Sequence, residues 1–274
     1  MAEVLGDARA PCPNCGAALT DRWCAACGQE SLAPGALART VRRQWARVRH
    51  TLVALVFHPG LLTAEFRDGR RARSIAPWRL TLNTVAFFFL LSFVTDFRIA
   101  HFAEQDRSGA LTRTIEDVAA RTRVAPSLVA ERIDRRFNAV YTLLLGLSVA
   151  WYALLACAMH WRQRRPWSVH AVFGLHYVAW IFVVSLAYLT AVRLLGVGLV
   201  DYTDLEHPNL RAIVLFATTL AWSLAYVAIA FRRVYHDTRW MASLKALVVL
   251  ATGIVVDNVV VALAFYAALR LVGA

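Results

Sequence analysis

The sequence predicts an all-α membrane protein, a bundle of about five transmembrane helices preceded by a small N-terminal four-cysteine zinc ribbon and a basic amphipathic helix. Three observations lead there. Two Cys-x-x-Cys-Gly knuckles open the chain, 59% of its 274 residues are hydrophobic although the formal net charge is +12, and five long apolar stretches follow. Soluble domains rarely combine such apolar content with such charge, because apolar usage averages about 45–50% even with glycine counted. The reading divides the chain into a ribbon over residues 1–30, a basic juxtamembrane region over 31–78 and a bundle over 79–274, with an outer helical loop near 100–137.

The ribbon comes first. Cys12 and Cys15 form one pair, Cys24 and Cys27 the other, with eight residues between the pairs. A Cys-x-x-Cys turn places two sulfurs on one ion, and the glycine after each second cysteine admits a backbone conformation that a side chain resists. The segment Ala17 to Trp23 is long enough for a hairpin that returns the second knuckle to the first. Four thiolates on Zn2+ leave no coordination position open, so the expected metal is structural. A disulfide framework would need an oxidising compartment, and no apolar signal region precedes the cysteines. A thioredoxin-like redox site would need one such pair opening a helix. Cys157, in an apolar stretch, reads as a small buried hydrophobe.

After Pro34-Gly35, a linker signal, apolar residues Leu37, Val41, Trp45, Val48, Leu52 and Leu55 recur every three or four positions. That stripe is one face of a helix whose other faces carry Arg39, Arg42, Arg43, Arg47 and Arg49. A basic amphipathic helix with tryptophan on its apolar side suits a headgroup layer, and each nearby basic residue contributes about 1 kcal/mol toward anionic lipid. Packing of the same face on the ends of the bundle remains an equal reading. The ribbon itself offers Arg22 and Trp23 opposed by Asp21 and Glu30, which argues against sequence-specific nucleic-acid recognition.

Next come His58-Pro59-Gly60, a turn, then Glu65-Phe66-Arg67-Asp68-Gly69-Arg70-Arg71, with Gly69 placed as a helix C-cap and Pro77 as the start of the next helix. With Cys12, Cys15, Cys24, Cys27, Gly28 and Gln29, and then Pro59, Gly60, Gly69, Arg70, Arg71 and Pro77, the first third of the chain resembles an uncharacterised bacterial membrane family, catalogued as domain of unknown function 3667. The resemblance implies a shared architecture and supplies no activity. His58 stands where that pattern leads us to expect arginine.

A bilayer-crossing helix needs about 20 apolar residues. The five candidates are Arg79–Ile99, Asn138–Trp161, Val169–Leu195, Leu210–Phe231 and Leu244–Leu271. Arginines crowd the segment before the first span, the Arg162-Gln163-Arg164-Arg165 loop, and the loop with Arg232, Arg233, Arg239 and Lys245. The loop between the third and fourth spans carries Asp201, Asp204 and Glu206 instead. Basic loops stay cytoplasmic, so the expected topology is multi-pass in a bacterial inner membrane, N-terminus inside and C-terminus outside. Residues Arg98 to Phe137, expected outside, hold eight arginines against six acids. Their helical grammar predicts Thr114 as an N-cap, Glu116 and Asp117 in a first turn, and Pro126 opening a second piece.

Ionisable groups inside spans are costly and mark function or specific packing. Asp257, beside Asn258 in the middle of the last span, is the foremost candidate; His176 lies within the third span, Asn83 early in the first, and Arg193 near the end of the third. Asp257 and His176 could form a proton relay or a polar ligand site, against the plainer reading of a hydrogen-bonded aspartate that fixes helix packing. His160 and His170 flank a cytoplasmic loop and read as interfacial. Hydrolase, kinase and metalloprotease motifs are missing from the sequence. Two functions stand: a non-enzymatic membrane module presenting its ribbon and arginine-rich helix to a cytoplasmic protein partner or anionic membrane lipids, or a small transporter or lipid-active protein centred on Asp257 with a regulatory ribbon.

Overall fold

The computed structural model describes residues 11–12, 14–18, 23–28, 36–94, 110–194 and 210–273. The Pro34-Gly35 linker and the acidic stretch with Asp201, Asp204 and Glu206 lie outside them, as do Asp21, Arg22, Gln29, Glu30 and the side chains of Arg39 and Arg193. Among the described residues the chain is all-helical, with eight α-helices, one short 3-10 helix at Trp161–Gln163 and no strand beyond an isolated bridge between Pro11 and Ala18. The helices are α1 (Ala36–Phe57), α2 (Leu61–Arg67), α3 (Pro77–Val94), α4 (Ala110–Thr122), α5 (Pro126–Met159), α6 (Trp167–Leu194), α7 (Leu210–Tyr235) and α8 (Arg239–Gly273). Two compact units result, Met1–His50 and Thr51–Ala274.

In the first unit the knuckles precede the start of α1. Val41 and Trp45, on the apolar stripe, are exposed, Trp45 at 68% of its surface, and Arg42, Arg43, Arg47 and Arg49 lie on the same stretch of the helix.

The second unit is built on α5, α6, α7 and α8. Among the described residues three helices are long and apolar enough to cross a membrane: Pro126–Met159, Trp167–Tyr188 and Arg239–Val272. Helix α6 is the most enclosed, packed against α2, α3, α5 and α7; α5 lies against α4, α6 and α8. Small residues set the closest approaches. A side chain at Gly174 would meet the Val149 carbonyl of α5 at 2.7 Å. The main core is aromatic, with Trp180 stacked on Tyr226 at 4.0 Å and Tyr152 edge-on to Tyr177 at 4.7 Å. Cys157, expected to be buried, is half-buried near the end of α5.

Helix α5 differs from its expected extent. It begins at Pro126 and runs unbroken for 34 residues, about 51 Å at 1.5 Å per residue, against a hydrocarbon core of about 30 Å. The expected second piece of the loop and the expected second span are therefore one helix. Its first turns bury Val129, Ile133 and Phe137 against Ile115, Val118 and Ala119 of α4 and Ala264 and Ala268 of α8, a second small core. Thr114 is not an N-cap: α4 starts four residues earlier at Ala110, and Thr114, Glu116 and Asp117 lie inside it. The apolar face of α4 packed on α5 and α8 extends the helix past the local capping signal.

Candidate metal centre and polar sites of the bundle

The four predicted thiols converge. Their Sγ atoms all lie within 4.8 Å of one another, with Cys12 to Cys27 and Cys15 to Cys24 both at 3.6 Å. No disulfide joins them. An ion bound to four sulfurs at about 2.3 Å sets tetrahedral edges of about 3.8 Å, so the cluster fits a four-thiolate metal site. Local sequence builds it. Gly16 and Gly28 adopt φ of 74° and 72°, and their N–H groups donate to the Cys12 and Cys24 carbonyls at 2.8 Å. Cys12 and Cys24 are buried, whereas Cys15 and Cys27 are exposed, which opens one side of the cluster to solvent.

In the second unit, residues from Thr51 to Trp78 make a wedge against α6 and α7. Gly60 has φ of 74°, and a Cβ there would stand 2.7 Å from the Ala230 Cα of α7. Arg233 donates to the Pro59 carbonyl at 2.7 Å, and Arg67 donates to the Val234 carbonyl at 2.6 Å, so each arginine ties one chain segment to the other. The Arg70 N–H bonds the Glu65 carbonyl and the Gly69 N–H that of Phe66, the double bond of a Schellman C-cap with Gly69 in the left-handed region. Arg67 and Arg70 both reach Asp68, and the Arg67 hydrogen bond holds that carboxyl below its usual range. Arg71 is exposed over the Phe66 ring. Thr51 accepts from the Ile75 N–H at 3.0 Å, closing the wedge on itself.

The wedge also reaches His176. Thr63, buried on α2, hydrogen-bonds the His176 Nδ1 at 2.9 Å in a small pocket lined by Leu55, Gly60, Tyr177 and Tyr226. Asp257 engages other partners: Ser148 donates to one carboxylate oxygen and Tyr152 to the other, both at 3.0 Å. Gly253, one turn earlier, leaves the space that the Tyr152 hydroxyl occupies. Asn258 is exposed and donates to its own helix at Ile254, and Asn83 is exposed on α3. The three intramembrane candidates thus carry three separate sets of hydrogen bonds.

A further polar cluster was not singled out by the sequence. Lys245 donates to both oxygens of Asp237 at 2.9 and 2.8 Å, and His160 Nε2 meets the same carboxylate at 2.8 Å while its Nδ1 meets the Ala156 carbonyl at 2.8 Å. Both ring nitrogens of His160 thus face oxygen atoms, and burial holds the imidazole pKa below its ordinary value. His160 stacks on Tyr235 at 3.7 Å, and the Tyr235 hydroxyl bonds His170. Both histidines are buried, at 2% and 1% exposure, packed between the ends of α5, α6 and α7.

Residues 46–89 match the model of a family described as protein of unknown function (DUF3667). The match covers the end of α1, all of α2 and most of α3, that is, the wedge, and includes Pro59, Gly60, Gly69, Arg70, Arg71 and Pro77. The resemblance inferred from those positions is thereby supported by an independent match, while the cysteine knuckles lie outside it. No curated protein and no solved structure matches the chain.

Proposed function

We propose that the protein is a non-enzymatic, multi-pass protein of a bacterial inner membrane, whose cytoplasmic zinc ribbon and arginine-rich α1 present a binding surface to a protein partner and to anionic headgroups. The observation that carries this reading is the closed four-thiolate geometry. It suits Zn2+ as a structural ion, with every coordination position taken by protein and none left for a substrate. The uncovered Trp45 and Val41 among arginines supply an apolar and cationic surface on the first half of α1.

Five spans are favoured by how the helices alternate. The ends of α5 and α7 are tied to each other where Gln163 donates to the Tyr235 carbonyl, and each chain segment turns there into α6 or α8. Near the start of α3, Thr81 donates to the Leu175 carbonyl in the early turns of α6. With α5, α6 and α8 in the membrane, α3 and α7, packed along α6 and α8, cross beside them. The arginine-rich end then faces the cytoplasm.

No specific observation favours the transport reading. Both Asp257 oxygens are occupied by donors of α5, and His176 has a different partner. The test has two arms. Protein purified without chelators should carry close to one zinc per chain, and a reporter after Ala274 should act as periplasmic while one at Gln163 acts as cytoplasmic. Metal-free protein, or two reporters on the same side, would overturn the corresponding half of the proposal.

A further inference from the structure

Four tryptophans cluster at one end of the bundle, one at the edge of the wedge and three outside the sites already described. Trp78 opens α3, Trp161 follows α5, Trp167 opens α6 and Trp240 opens α8, and all are exposed, Trp161 at 71% and Trp240 at 76%. The His160–Asp237 and Gln163–Tyr235 bonds hold the end of α5 to the α7–α8 turn, and Thr81 near the start of α3 donates to the Leu175 carbonyl of α6. Arginines interleave with the tryptophans. Arg79 lies over the Trp78 ring at 5.0 Å and Arg162 over the Trp161 ring at 5.7 Å, while Arg164 and Arg239 are exposed beside Trp167 and Trp240.

Arginine outnumbers acid at this end among the described residues, where Glu65 is buried on α2. Asp68 is taken by Arg67 and Arg70, and Asp237 by Lys245 and His160, which leaves Arg79, Arg162, Arg164 and Arg239 with no acid partner. The opposite end differs. There Arg135 pairs with Glu131 at 2.9 Å, and Glu116, Asp117 and Asp134 lie among the arginines of α4 and α5. Along α8 the distance also fits. From Trp240 to Tyr266, exposed and covered by Arg270, is 26 residues or about 39 Å, close to the full bilayer thickness of about 40–45 Å with headgroups.

From this arrangement we infer that the Trp78–Trp161–Trp167–Trp240 end of the bundle is a second lipid-binding surface, separate from α1, seated in a headgroup layer and selective for anionic phospholipid. Indole rings settle at the membrane–water interface, and arginines held over those rings keep their guanidinium groups at phosphate depth. The inference rests on the membrane reading above and adds a second set of lipid-contacting residues and the depth at which they sit.

The test titrates detergent-purified full-length protein with phosphatidylglycerol or phosphatidylcholine and counts bound lipids by native mass spectrometry. The variant carrying Arg79→Gln, Arg162→Gln and Arg239→Gln should need at least about fivefold more phosphatidylglycerol for half-saturation, with phosphatidylcholine binding unchanged. A control with Arg121→Gln, Arg132→Gln and Arg136→Gln, exposed residues of the opposite end, should retain the wild-type preference. Both variants leave the α1 arginines in place, so the difference reports this surface alone. Wild-type binding by the first variant, or equal loss in both, overturns the inference. Release of the wild-type protein from membranes by alkaline carbonate would instead overturn the membrane reading itself.

Discussion

The ribbon and the bundle are stabilised by opposite strategies. Among the described residues of the ribbon, the buried side chains are Cys12 and Cys24, with Ala17 packed against them. The bundle distributes its stability over aromatic rings such as Trp180, Phe137, Phe231 and Tyr235, all nearly fully buried. A segment too small for a core depends on its metal, whereas a packed bundle loses only a fraction of its stability with any one side chain. Replacing one thiolate is therefore the largest perturbation available in the chain. If the cluster holds Zn2+ as proposed, Cys24→Ser should remove most of the coupling between metal binding and folding, on the order of 10 kcal/mol. Limited proteolysis should then cut the N-terminal segment at least tenfold faster, while the helical circular dichroism of the bundle stays at its wild-type value. Equal protection of both proteins would show that the ribbon has a source of order other than the metal.

The glycines sharpen the same contrast. Gly16 and Gly60 share a φ of 74°, yet a Cβ at Gly16 meets nothing within 4 Å while one at Gly60 meets the α7 backbone. Gly16→Ala should cost only the left-handed strain, about 1–2 kcal/mol. Gly60→Ala adds a backbone clash that no rotamer relieves, for a total of about 3 kcal/mol or more. Thermal unfolding in detergent should show a clear drop for Gly60→Ala, and zinc retention a small change for Gly16→Ala. Truncating Ala230 to glycine should rescue Gly60→Ala only in part, because the Cα and carbonyl of residue 230 remain in the way.

What could be read from sequence divides along the same line. The knuckles, the Gly69 cap and the Pro77 and Pro126 helix starts are local signals, each decided by residues within a few positions, and each stands in the structure. The His160–Asp237–Lys245 cluster brings together residues 77 and 8 positions apart, and Thr63 meets His176 across 113. Such pairs depend on which helix ends meet, and the period of an apolar stripe does not specify that. Asp237 gave one usable signal: an acid in an otherwise basic loop, just past the end of the α7 stretch, is placed to neutralise its neighbours. Thr114 failed for the converse reason, since the local cap lost to packing of Ile115, Val118 and Ala119.

The smallest expected effect concerns Asp257, where the bundle's distributed stability meets a carboxyl in the middle of α8. Asp257→Asn keeps the size and one acceptor oxygen, so one of the bonds from Ser148 and Tyr152 survives and the amide nitrogen must face the other donor. Hydrogen bonds between membrane helices contribute on average about 0.6 kcal/mol, so the loss should be about that size. Asp257→Leu removes both acceptors. Ser148 can turn its hydroxyl back to a carbonyl of its own helix, as Thr142 does to Asn138, but the Tyr152 hydroxyl is held beside Gly253 and has less room. Leucine should therefore cost about 1–3 kcal/mol, most of it from the stranded tyrosine. Adding Tyr152→Phe to Asp257→Leu should then recover most of that loss, because the orphaned hydroxyl is gone. If the double variant is no more stable than Asp257→Leu alone, the carboxyl acts on something other than the α5–α8 contact. Its place among the packing residues of the bundle would then have to be given up.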